Sequence, residues 1–162
     1  MCIRDRQKKR LRGASYNQAK VEEASAVIVA CGDMDGWRKD LDLMLQMGRE
    51  RGMPESYAAQ ARTSVPNYLS SFSPDEMKMW LNKHVTLAYG HMLLTAEVLG
   101  YDTAPLEGFE QDKVHEVLRL PLSYWVVALL AVGKLKGPDK YDGGRFDWNH
   151  TVFGEEYGKA MK

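Results

Sequence analysis

Two stretches of the chain are apolar almost without a break. Residues 26–31, Ala-Val-Ile-Val-Ala-Cys, are rich in β-branched side chains and predict a buried strand, ended by Gly32-Asp33. Residues 124–133 carry Trp-Val-Val-Ala-Leu-Leu-Ala-Val and predict a second. Between them lies a long helical pattern. Ser73 reads as its N-cap, Pro74 as its first helical residue, Glu76 as the closing member of a capping box and Gly100 as its stop. Apolar residues spread round most of the circumference of this helix, among them Trp80, Leu81, Val85, Leu87, Met92, Leu93, Leu94, Val98 and Leu99. Such a helix lies inside a protein or between two subunits. Gly90, near Ala88 and Thr95, predicts a close backbone approach by another helix.

Other elements are shorter. Residues 7–12 are basic and read as a solvated helix end, and Ser15 with Gln18 predicts a capping box opening a helix over 16–23. Residues 36–51 predict a helix with Trp37, Leu41, Met44, Leu45 and Gly48 along one side, stopped by Gly52. A short helix is expected over 54–63, then a loop over 65–72 holding Pro66 and Asn67. After the long helix come a turn over 103–109, an amphipathic helix over 111–118 ended by Pro121, and, past the second strand, a polar loop over 134–144. Phe146, Trp148, Val152, Phe153 and Tyr157 are scattered through the tail without a helical period, so the tail covers either its own core or a partner subunit. The sum is an α+β domain with few strands for its length, as an N-terminal truncation would leave.

At 162 residues the chain is one domain's worth. Its 22 basic and 22 acidic residues balance, which argues against a general basic face for nucleic acid. No apolar run is long enough to span a bilayer, the N-terminus lacks a signal-peptide core, and two cysteines make no disulfide framework. A soluble, reduced, cytoplasmic protein is expected, with no nucleic-acid or membrane partner. Met1 to Arg6, Met-Cys-Ile-Arg-Asp-Arg, resemble a translated transposon adapter of the kind used in sequencing libraries. Residues 1–6 are therefore expected to be an artefact, and residues 7–162 to be part of a longer domain.

Metal chemistry finds little support. His84 and His91 sit two helical turns apart, roughly 10 Å along the axis, and no carboxylate falls at matching spacing. Cys31 lies in a predicted buried strand, where thiols are inert. No glycine-rich phosphate loop is present. Asn17 and Lys20 share one face of the predicted first helix and offer an amide and an ammonium to a flat polar edge; taken alone, they also fit an ordinary solvated face. Pro105-Leu106-Glu107-Gly108 alone is only a turn.

Taken together and in order, these pieces resemble the FMN-dependent nitroreductase family. Asn17-Gln18-Ala19-Lys20 followed by Glu23-Ala24-Ser25 and the strand looks like its Asn-x-x-Lys … Asp/Glu-Ala-Ser entry. Leu99-Gly100, then Pro105-Leu106-Glu107-Gly108-Phe109, looks like its leucine-glycine … Pro-x-Glu-Gly-Phe signature, and the resemblance runs from about residue 7 to the end. It implies a nitroreductase-like α+β fold with a mostly antiparallel central sheet, first elements missing. It also implies a homodimer whose long helices pack across the two-fold axis, with FMN at the interface touched by both chains.

The family's activity is NAD(P)H-dependent reduction of nitroaromatics, quinones or similar electron-poor acceptors by a ping-pong hydride transfer. By the resemblance no side chain is a catalytic acid or base. Lys20 would place charge beside the flavin pyrimidine, Asn17 would bond that edge, and Pro105, Leu106, Glu107 and Gly108 would lie along the ring with the Glu107 N–H toward N5. Arg145 would hold the phosphate. The family's upstream Arg/Ser-containing phosphate segment is not in the chain, and Gly143 stands where a lysine is common, with Lys140 a substitute. The chain alone is thus expected to bind FMN poorly. Residues Tyr68 and Phe72 are candidates for a cover over the acceptor, or part of an ordinary connecting loop. The competing expectation is a flavin-free dimerisation domain on the same fold.

Overall fold

The computed structural model describes residues 1–3, 6–137 and 143–161. In chain order the elements are β1 (Cys2–Ile3), α1 (Arg6–Ala14), α2 (Ala19–Glu23), β2 (Ala26–Asp33), α3 (Gly36–Lys39), α4 (Leu41–Glu50), α5 (Glu55–Ser70), α6 (Pro74–Val98), β3 (Asp102–Leu106), α7 (Gln111–Leu118), β4 (Tyr124–Gly133) and α8 (Trp148–Thr151). The strands form one antiparallel sheet in the order β1-β2-β4-β3. The two apolar runs lie side by side at its centre, Val27 opposite Ala131 and Val29 opposite Leu129, with a register shift between Ala30 and Cys31. A strand buried on both faces needs no polar alternation, which is why both runs are continuously apolar. β1 extends the sheet, and the Met1 amino group donates to the Val29 carbonyl at 2.8 Å.

Helices cover both faces. On one, α1, α2 and α7 close over a core of Leu11, Val21, Val27, Val29, Val114 and Leu129. On the other, α6 lays Tyr89 over Ala30, Ala128 and Leu130, and its first turns bury Met77 and Leu81 with Leu69. The Ser73 capping box is formed in both directions: the Glu76 N–H donates to Ser73 Oγ at 3.3 Å, and the Ser73 N–H to Glu76 Oε2 at 2.8 Å. Gly100, at φ 74°, supplies the left-handed residue that ends the helix.

Several expectations fail locally. The basic stretch over 7–12 is not a solvated end, because Leu11 and Ala14, three apart, form a narrow stripe that α1 buries. Ser15 caps nothing: Tyr16 and Asn17 adopt left-handed φ of 50° and 57°, the chain turns, and α2 starts only after Gln18, so Asn17 precedes the helix that holds Lys20. The helix expected over 36–51 breaks at Asp40 into α3 and α4. The loop expected over 65–72 is helix as far as Ser70, running through Pro66. Packing explains this: Val65 and Leu69 insert beside Met77 and Leu81, and that burial outweighs one lost backbone bond.

Pro105 and Leu106 belong to β3 rather than to a turn; Pro105 is tolerated because β3 is an edge strand. Within the chain nothing approaches Gly90: a Cβ there would meet no atom within 4 Å. Nor does the tail cover its own core, since Phe146, Trp148 and Tyr157 are exposed. Lys140 lies outside the described residues. No helix among the described residues is long and apolar enough to cross a membrane.

Candidate functional site

The segment that turns at Tyr16–Asn17 docks onto the turn that follows β3. Gln18 makes the junction: its Nε2 donates to the Gly108 carbonyl at 2.8 Å and to the Ser15 carbonyl at 3.1 Å. The Glu110 N–H donates to the Ala14 carbonyl at 2.9 Å, tying the same two segments one step further along. Gly108 is small for this contact. A Cβ there would lie 3.2 Å from Gln18 Nε2 and 3.5 Å from Tyr16 Cδ2. Its bare side thus faces the 16–18 turn, not open space for a ring. Gln18, expected only as a capping partner, is the residue that sequence reasoning missed, and its place beside Asn17 in the motif was the available signal.

The predicted site residues divide between two clefts joined by one strand. Pro105, Leu106 and Glu107 line a cleft of about 510 Å³ against Tyr89, Gly90 and Leu93 of α6. Glu107 also borders a neighbouring hollow of about 350 Å³ with Asn82, Gln111 and Trp125. Lys20 lines a different cleft, of about 300 Å³, with Glu23, Asp102, Thr103, Lys134 and Lys136. β3 floors both: its first residues face Lys20's cleft and its last residues Glu107's. Asn17 lines none of these clefts but sits at the junction, its carbonyl accepting from Arg12 Nε at 3.2 Å. Arg145 stands apart in the tail, exposed, with its guanidinium donating to the Gly144 carbonyl at 2.7 Å.

The scaffold around Glu107 is held by side-chain bonds to backbone. The Tyr89 hydroxyl donates to the Leu129 carbonyl at 2.8 Å, and burial pushes that phenol's pKa up, against a lowering hydrogen bond from the Leu106 backbone. Tyr89 is therefore a fixed neutral donor. Gln111 clasps Val126 of β4, donating to its carbonyl at 2.6 Å, while Trp125 Nε1 donates to Asn82 Oδ1 at 2.9 Å. Burial also raises the Cys31 thiol, which keeps it protonated and unreactive. Among the described residues no group of three His, Cys, Asp or Glu side chains could hold a metal ion.

Of the donors expected at the ring end of a flavin, the structure sets the Asn17 turn beside the Glu107–Gly108 turn and leaves Lys20 in a separate cleft. Among the described residues the Lys20 ammonium and the Asn17 carboxamide make no hydrogen bond or ion pair, so both are available to a ligand edge. The Gly108–Gln18 junction sets the Asn17 turn beside the Glu107–Gly108 turn. Arg145 is not gathered with them.

Known proteins resemble this chain over most of its length. Protein DrgA of Synechocystis is 30% identical over 142 residues, covering 83% of this chain and 61% of its own length. A protein of Thermus thermophilus named NADH dehydrogenase is 29% identical over 134 residues, covering 82% and 63%. The chain thus spans about three-fifths of the length of these relatives. Among solved structures, a protein from Exiguobacterium sibiricum assigned as a nitroreductase, in complex with FMN, superposes with a TM-score of 0.82 at 27% identity, covering 94% of this chain and 73% of that one. The family model described as Nitroreductase family matches residues 2–134, most of the chain, and on that match the chain belongs to the nitroreductase family.

Proposed function

We propose that this chain is the larger part of an FMN-dependent oxidoreductase that takes hydride from NAD(P)H and passes it to a small electron-poor acceptor, a nitroaromatic or quinone, as a homodimer. The observation that carries the reading is the junction at Gly108, where Gln18 brings the Asn17 turn against the residues that follow β3. FMN, when bound, supplies hydride acceptance and donation at its N5. The chain's own residues position it. Lys20 brings a positive charge to the pyrimidine end, which favours the arrival of electrons there. Asn17 bonds the same edge with donor and acceptor together. Glu107 offers a main-chain donor toward the redox atom, from the end of a strand fixed by Tyr89 and Leu129. Arg145, whose planar guanidinium suits phosphate, meets the far end. The cleft beside Pro105 and Leu106 offers the acceptor a largely apolar wall.

Flavin content and potential test this. The longer protein that contains this chain is expected to purify yellow and release FMN on heating; colourless protein that cannot be reconstituted with FMN would favour a flavin-free dimerisation domain. In a Lys20→Ala variant, slower reduction by NAD(P)H and a lower flavin potential are expected. An unchanged potential removes Lys20 from this role.

A further inference from the structure

The outward side of α6 carries a row at alternating steps of four and three: Trp80, His84, Leu87, His91, Leu94 and Val98. On a helix these positions make one stripe, the spacing of a two-helix seam. It lies away from the side that buries Met77, Leu81 and Tyr89. The chain packs Trp80 against the Leu69, Met77 and Leu81 cluster but leaves the rest of the row bare, with Leu87, Leu94 and Val98 exposed by 67%, 69% and 86%.

The flanks of the row identify the occupant. One flank reads Lys83, Gly90, Glu97 at steps of seven, the other Ala88 and Thr95, the preceding member of that series, Leu81, being in the core. Laid antiparallel on itself, the helix sets Lys83 against the second copy's Glu97, twice by symmetry, and crosses itself at Gly90 and Ala88. Small residues at the crossing let backbones approach, and the space beside Gly90 is open. A parallel pairing instead sets Lys83 beside the second copy's Ala88, with no carboxylate to meet it. The charges and the small residues therefore select one orientation and one register.

We infer that α6 docks antiparallel on α6 of a second copy with Gly90 on Gly90 and Lys83 on Glu97, and that the two histidines of each seam make this contact sensitive to acid. The inference rests on the homodimer proposed above and fixes its register. In this register His84 packs on the second copy's Leu94 and His91 on its Leu87. Each imidazole is already oriented: His84 Nδ1 donates to the Trp80 carbonyl at 2.8 Å, and His91 Nδ1 to the Leu87 carbonyl at 2.7 Å. A carbonyl only accepts, so Nδ1 carries the hydrogen and Nε2 a lone pair while the ring is neutral. Lys83 and the second copy's Glu97 flank the His84 layer; Ala88 and Gly90 flank the His91 layer. Protonation would put charge into an apolar seam, so association weakens as pH falls.

The test uses the 162-residue chain in a Cys2→Ser, Cys31→Ala background, with circular dichroism to check the fold of each variant. Gly90→Cys is expected to form a disulfide-linked dimer under mild oxidation and Val98→Cys is not, since antiparallel packing sets the two copies of residue 98 at opposite ends. By sedimentation, Lys83→Glu and Glu97→Lys each weaken the dimer by roughly tenfold, and their combination restores it. Residues 83 and 97 are about 21 Å apart on one helix, so such rescue arises only between copies. Dropping from pH 8 to 5.5 weakens the parent dimer, and His84→Leu with His91→Leu abolishes that dependence. A dimer that crosslinks at 98 rather than 90, or that the charge swap fails to restore, overturns the register while leaving the homodimer standing. A pH response unchanged by the histidine replacements overturns the acid sensitivity, and a chain that stays monomeric overturns the register and the homodimer together.

Discussion

Gly32 is the place where one methyl group should disturb the contact between the sheet and α6. It lies in β2 opposite Trp125, just past the register shift, with α6 above it. An added Cβ would fall 2.8 Å from Leu81 Cδ2, 3.3 Å from Val85 Cγ2 and 3.4 Å from Leu81 Cδ1. Carbon atoms rest at about 3.5–4.0 Å, so the nearest contact needs relief of most of an ångström. Leu81 is only 6% exposed and wedged against Leu69 and Met77, and Val85 is β-branched and stiff, so neither yields freely. Overpacking of this kind costs about 1–3 kcal/mol, and replacing glycine in a strand returns about 0.5–1 kcal/mol. Gly32→Ala should therefore destabilise by about 0.5–2 kcal/mol. For a chain of this size that lowers Tm by about 2–6 °C. Equilibrium urea unfolding followed by circular dichroism should show a lower midpoint with an unchanged slope. Leu81→Ala removes the atoms in conflict, and on that background Gly32→Ala should become neutral or stabilising, a coupling of about 1 kcal/mol. Stabilisation in the parent, or an equal cost in both backgrounds, would refute the steric account.

Three further outcomes follow from the same structure. Pro66→Ala should stabilise α5 by about 1–3 kcal/mol, because it restores a backbone donor inside a continuous helix; a lower urea midpoint would show that the proline is needed for packing. For Asp33, burial pushes the pKa up, but the Asp35 N–H at 2.9 Å, the Lys39 ammonium at 3.0 Å and Ser123 outweigh it and hold it low. A depressed carboxylate contributes stability above its ordinary range and loses it as pH falls through the folded value. Asp33→Asn should thus cost about 1 kcal/mol near neutral pH, a cost that shrinks as pH falls through the depressed folded value, measured as the gap between urea midpoints as the pH is lowered. Gln18→Ala should free the Gly108 carbonyl and lower the FMN retained per chain in the longer protein, with far-ultraviolet dichroism unchanged. Full flavin occupancy in that variant would dissociate the junction from the cofactor.

How far the sequence could be read depended on the range of the interactions that decide each segment. β4 and α7 have the predicted limits, and α6 its predicted start and stop, because an apolar run and paired capping residues act locally. Pro66 and Ser15 misled for the opposite reason. The helix through Pro66 is held by Met77 and Leu81, and Ser15 gives way to a left-handed turn whose contacts are with Gly108, some ninety residues away in sequence. The site behaves the same way. The motif residues could be named, but their division between two clefts along β3 is a property of the sheet, which no local pattern reports.

The central pairing of β2 with β4 joins the first quarter of the chain to its last third, with five helices and an edge strand between them. A sheet closed in this way has no local hairpin from which to start, and long-range pairing of this kind is slow to form. During synthesis β2 emerges early, apolar on both faces, with only the two-residue β1 to pair along one edge until residues near 130 have left the ribosome. In that interval its shelter is whatever the nascent helices can supply, which makes the strand the segment of this chain most exposed to aggregation or chaperone capture before the polypeptide is finished.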